Sequence, residues 1–189
     1  MIIRLQKRQL RQRKETAYAL AEFGPTLFIA FCLIVMPVLA FGMIGARYVF
    51  LLNAARLSVQ QAARCKSFLV DTSPAELSAV NTAKTIANNS INSIGGGLVT
   101  LTSTTVFIKV CPFGGGSGSV TTPGPNKPLN GPADTANNAY DCECVLQGIV
   151  QPLFPGASSL LGVIPGFNAP MNANVRMDCF FENESNLNQ

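Results

Sequence analysis

The chain has 189 residues, 48% of them apolar and only 13% charged, with a mean hydropathy of +0.28 and a formal net charge of +4. It contains no histidine and no tryptophan. These figures exclude His-based nucleophilic triads and His-ligated zinc, argue against disorder, and direct attention to a membrane.

The charge is not spread evenly. Arg4, Lys7, Arg8, Arg11, Arg13 and Lys14 all precede Glu15, and beyond Glu15 eight basic residues face nine acidic ones. The body is therefore slightly acidic and the basicity belongs to a leader, residues 1–17. Basic residues ahead of an apolar run hold that flank in the cytoplasm. No basic groove or aromatic platform follows, so no nucleic-acid partner is expected.

The run from Gly24 to Ala46 carries no charge. Its 23 residues make ~35 Å of helix at about 1.5 Å per residue, against ~30 Å of bilayer core. A cleaved secretory signal has a shorter apolar region, and this run continues past Val38-Leu39-Ala40 through Phe41 and Ile44. Membrane lipid is thus the first expected partner, with the span set at residues 18–46. Pro25 falls in the first turn of the run, where a missing N–H matters little. Pro37 is expected to kink the helix and free a carbonyl near mid-membrane. Cys32, inside the span, reads as a small apolar residue and a free thiol.

Arg47-Tyr48 marks the outer interface. The stretch after it has no Gly or Pro, and Val49, Leu52, Arg56, Val59 and Ala63 recur at helical spacing. One long helix is expected, roughly Ala17 to Leu69, its outer part a stem over residues 47–71. The Asp71-Thr72-Ser73-Pro74 turn ends it. Ser73 is expected to cap a second helix, with Pro74 first and Glu76 third, reaching about Ser90. Its apolar face is Leu77, Val80, Ala83 and Ala87.

Past Gly95-Gly96-Gly97 the period changes to two. Leu98 to Val110 reads as one or two strands, Asp141 to Gln151 as a strand and Asn172 to Glu182 as a last one. A flexible loop rich in Gly, Ser, Thr, Pro and Asn occupies residues 112–139. A Pro/Gly-broken apolar loop follows Gln151, with one helical turn at Ser158 to Leu161. The expected class is α+β: a transmembrane helix continuing as a stem, then an exterior domain, residues 72–189. That domain has one more helix and a three- to four-stranded antiparallel sheet.

Cys65, Cys111, Cys142, Cys144 and Cys179 fall on the exterior side, where disulfides persist. Cys142 and Cys144 are two apart on a strand and share a face. Cys111 and Cys179, in or beside strands, are their favoured partners, leaving Cys65 as a free thiol. Cys-Glu-Cys is not the spacing of a zinc ribbon or a redox pair, so no metal and no cofactor are expected. Glu76, Asp134, Asp141, Glu143, Asp178 and Glu182 form no recognisable acid–base pair. Asp141 with Glu143, and Asp178 with Glu182, read as solvated strand ends. No catalytic residue is assigned and no enzyme is expected.

Glu22 is the sole charge between Glu15 and Arg47 and stands at the cytoplasmic edge of the span. Ala21-Glu22-Phe23 entering the run, Phe41-Gly42 near its outer end and the Asn53…Ala62-Ala63-Arg64 stem resemble the TadE/TadG-like pseudopilins. These belong to the Tad (Flp-type) branch of the type IV pilus machinery. The later VLQGIVQPLFPG…NANVRMDCFFE is similar to the end of that family. The resemblance implies a pilin-like fold and a single-pass protein of the bacterial inner membrane, its C-terminal domain periplasmic or extracellular. It implies a structural subunit or assembly factor, with pilin-like subunits, the Tad inner-membrane machinery and a prepilin peptidase as partners. That peptidase cuts after a Gly five residues ahead of the Glu; Ala17 holds that place here, so the cut falls between Ala17 and Tyr18. The Tyr18 amine so released is one turn from Glu22, and a neighbouring subunit's Glu22 would neutralise it, two charges in lipid being cheaper paired than apart. An anchored exterior binding module, using loop 112–139 and standing outside any pilus, is the alternative.

Overall fold

The computed structural model describes residues 23–95, 97–113, 120–152, 168–184 and 187–189. It divides into two units, Met1–Met43 and Ile44–Gln189. The leader, and with it Ala17, Tyr18 and Glu22, lies outside the described residues, as do Ser158 to Leu161.

Helix α1 covers Phe23–Ala62. It contains a π-helical segment, Phe31–Val35, immediately before the α-helical stretch Met36–Ala62. Pro37 explains the position. It has no N–H for the Leu33 carbonyl, and its ring crowds that carbonyl, so the turn ahead of it widens. In the first unit the large side chains are open, among them Phe28 at 68% and Phe41 at 74%.

In the second unit the helix buries Leu51, Ala54, Ala55, Ser58, Val59 and Ala62. Of the expected face Val59 and Ala63 are buried, but Val49 and Arg56 are exposed and Leu52 only half-buried. The reason is the size of the residues. Alanines and a serine fill most of the buried face, and the Ser58 hydroxyl is satisfied locally by the Ala54 carbonyl (2.6 Å). The helix also stops sooner than Leu69. The amides of Arg64 and Cys65 turn back to the Gln61 and Ala62 carbonyls, and those of Phe68 and Leu69 donate to the Gln189 carbonyl. A partner distant in sequence thus takes over where the helical ladder would have continued.

Helix α2 covers Ala79–Gly95, not the expected stretch from Ser73. Ser73 does accept from the Glu76 amide (3.1 Å), but the two residues close a tight turn of their own. Ser78 caps the helix instead, accepting from the Asn81 amide (3.4 Å). Asp71 supports this start by accepting from the Ser78 amide (2.6 Å) and Asn81 Nδ2 (2.9 Å). Val80, Ala83 and Ala87 are buried as expected, joined by Ile91.

Three strands follow: β1 Val99–Pro112, β2 Asn138–Val150 and β3 Met171–Phe180. They form one antiparallel sheet in the order β1-β2-β3, with a register shift between Leu101 and Ser103. Period two sends Val106, Ile108, Cys142, Cys144, Leu146 and Val175 inward, onto α1 and α2. Phe68 and Phe181 close this core edge to face, centroids 6.4 Å apart. The α+β class and a three-stranded antiparallel sheet are therefore present, with one helix long and apolar enough to cross a membrane.

Candidate functional site

The described residues offer three surfaces on which a role can rest: the open apolar helix, the cysteine-bearing inner face of the sheet, and its charged outer face.

On the helix, Phe23 is the first described residue and stands 63% exposed. Cys32 is exposed within the π segment. The helix is long and apolar enough to cross a membrane. Such a surface is costly in water and suited to hydrocarbon. Arg47, read in sequence as an interface marker, is buried within the second unit. Its guanidinium donates to the Gln151 carbonyl just past β2, so it ties helix to sheet.

All six cysteines are thiols in the structure. Cys142 and Cys144 share the inner face and are fully buried. In register, Cys142 faces Cys179 on β3 and Ile108 on β1, while Cys144 faces Met177 and Val106. Cys111 faces Ala139 and sits in the opposite alternation from Ile108, on the outer side, where its thiol lies 3.8 Å from Asp141 Oδ2. The ladder thus brings together Cys142 and Cys179 and separates Cys111 from both inner thiols. Cys65 donates to the Gln61 carbonyl (3.4 Å) and lies 3.3 Å from Thr82 Oγ1.

Burial pushes the Cys144 thiol up to about 12, with Glu143 adding to the shift. Burial raises Cys142 well above the ordinary thiol range too, and Cys144, Cys179 and Cys65 nearby reinforce it. Desolvation likewise raises Cys65. Thiolates, not thiols, attack and bind metal, so these are poor nucleophiles at neutral pH. Among the described residues no three Cys, Asp or Glu groups converge to hold a metal ion.

The outer face holds what sequence reading missed. Glu143 is not a solvated strand end. It stands inside β2, 8% exposed, with Lys109 Nζ at 3.5 Å and Arg176 at 3.8 Å. Asp178, inside β3, takes Lys109 Nζ at 3.2 Å. Lys109 is desolvated, yet Asp178 and Glu143 hold its ammonium above the ordinary lysine range. The signal was available in the alternation itself: D-C-E-C and R-M-D-C place charge on one face and sulfur on the other.

The loop before β2 is tied down over its described part. Thr121 pairs with Val110, the Asn126 amide donates to the Val106 carbonyl, and the Leu129 amide donates to the Leu187 carbonyl. The Tyr140 hydroxyl accepts from the Asp134 amide (2.8 Å). A surface hollow of about 350 Å³ is lined by Thr102, Gln147, Gly148, Ile149, Asn172, Ala173 and Asn174, none of them titratable. Comparison with family models, with curated proteins and with solved structures gives no match to the chain.

Proposed function

We propose that the chain is a membrane-anchored structural subunit or assembly factor of the TadE/TadG-like pseudopilin kind, without catalysis, serving a Tad-type pilus or secretion system. The observation that carries the reading is α1. Its residues in the first unit present large apolar side chains outward, and its residues in the second unit supply the core of a small α+β domain. A helix of this kind suits a protein whose work is to hold a folded domain at a bilayer.

On this reading the basic leader stays in the cytoplasm of a bacterial cell, and the domain stands in the periplasm or beyond. Its partners are lipid, other pilin-like subunits and the Tad inner-membrane machinery, with a prepilin peptidase acting between Ala17 and Tyr18. Glu22 serves assembly by pairing with a neighbour's amine.

Glu22→Ala in the native cell tests this. Normal insertion into the inner membrane together with lost assembly supports the reading. Normal insertion with unchanged assembly favours an anchored exterior binding module. N-terminal sequencing of the mature chain checks the cut: Tyr18 as first residue supports processing, and retained Met1 rejects it.

A further inference from the structure

The two edges of the sheet are treated differently. The later half of the β1 edge is covered: Thr121 bridges Val110, and Asn126 both donates to the Val106 carbonyl and accepts from the Val106 amide through Oδ1 (2.9 Å). No described residue covers the edge of β3. Among the described residues, no backbone group of Met171–Phe180 is paired on the side away from β2. An open ten-residue edge is a template for another strand.

The phase of the ladder says which residues offer their backbone. The Phe181 amide donates to the Tyr140 carbonyl (3.1 Å), in register with the β2–β3 pairs. Antiparallel pairs alternate between those that exchange both hydrogen bonds and those that exchange none. Odd residues of β3 therefore bond toward β2. Asn172, Asn174, Arg176, Asp178 and Phe180 turn amide and carbonyl to the open edge.

The same even residues carry the charge, with Arg176 69% and Asp178 61% exposed at the side chain. A two-fold pairing centred on Met177 sets each Arg176 opposite the other copy's Asp178, and Asn174 opposite Phe180. Shifting the centre to Arg176 sets arginine against arginine; shifting it to Asp178 sets aspartate against aspartate. Opposite charges directly across a ladder stabilise it and like charges oppose it. All three registers keep the hydrogen-bonding phase, and among them charge selects the one centred on Met177.

We propose that the open edge of β3 pairs antiparallel with β3 of a second copy across a two-fold axis at Met177, joining two three-stranded sheets into one. The surface is isologous, as a two-fold contact requires.

The test weighs the full chain in detergent by light scattering across a concentration series, with thiols reduced. It is run beside Arg176→Asp, Asp178→Arg and the double exchange. The wild type is expected to hold two copies per particle. Each single exchange weakens the pairing about tenfold or more, and the double exchange restores it. Within one chain the double exchange places each new charge beside one of like sign, at Glu143 and at Lys109. A purely intrachain role for these residues therefore predicts the double exchange to be the worst variant. Amide hydrogen exchange on the wild type gives a readout that needs no substitution. The Arg176, Asp178 and Phe180 amides should be protected in the particle and lose that protection on dilution, while the Met177 and Cys179 amides stay protected. A wild type holding one copy overturns the proposal. So does a two-copy particle that survives both single exchanges, which assigns association to α1.

Discussion

Residues 23–43 and residues 44–62 belong to one helix and treat their side chains in opposite ways. In the first set Phe28, Leu33 and Phe41 stand 68%, 71% and 74% exposed; in the second Leu51, Ala55 and Ala62 are wholly buried. Backbone propensity does not separate them. What separates them is side-chain size on one face. The later stretch buries a stripe of Ala and Ser in the core of the second unit, whereas the earlier stretch is bulky and apolar all round, the pattern of a helix solvated by lipid. Hydrophobicity alone therefore does not say which solvent a helix face will meet.

The largest effect should come from deleting a core contact in the buried stretch. Leu51→Ala is expected to cost about 2–5 kcal/mol of unfolding free energy, measured by denaturant titration of the domain in detergent. Leu33→Ala, at an exposed site, should stay within about 0.5 kcal/mol in the same assay. Equal losses at both sites would erase the distinction between the two stretches. Leu33→Arg asks the converse question. It should disfavour membrane insertion by about 3 kcal/mol on a translocon-type assay, while the second unit keeps its stability.

Arg47 lies just inside the second stretch. Arg47→Met removes its charged donor from the Gln151 carbonyl and should cost about 1.5–3 kcal/mol in the denaturant titration. A value near zero would mean that helix and sheet hold together by apolar packing alone.

A further effect is an alkaline one. Cys142 and Cys144 have folded-state pKa values above those of the unfolded chain, Cys144 near 12. Their contribution is complete below the unfolded thiol value of about 8.5 and is lost as pH rises through the folded values. With thiols reduced, the melting temperature of the domain should fall between pH ~9 and ~12, and Cys144→Val should flatten part of that slope. A slope unchanged by the substitution would place the alkaline loss elsewhere.

Much of this fold was legible in local pattern. The uncharged run, the period-two strands and the Val80, Ala83, Ala87 face all follow from neighbours along the chain. What escaped was set by partners outside the local repeat, most of them far away in sequence. The helix ends at Ala62 because residues near Phe68 bond to Gln189. The second helix starts at Ala79 because Asp71 and Ser78 claim its first amides. Glu143 is buried because Lys109 and Arg176 arrive from two other strands. Of the candidate site residues, the inner-face pair Cys142 and Cys144 was legible from spacing. The meeting of Cys142 with Cys179 depended on register, which no single strand encodes.

The wide turn at Phe31–Val35 has a consequence for recognition between helices. One residue advances an α-helix by about 100°, so a turn holding one extra residue rotates everything after it by that angle. Side chains at 24–30 and at 38–45 therefore do not fall on the stripe that a plain helical wheel would draw through both. A straight neighbouring helix that met the first group on one side would meet the second group a quarter-turn away. Pro37 thus fixes an azimuth as well as a local geometry, and a contact map of the span would show two offset patches rather than one seam.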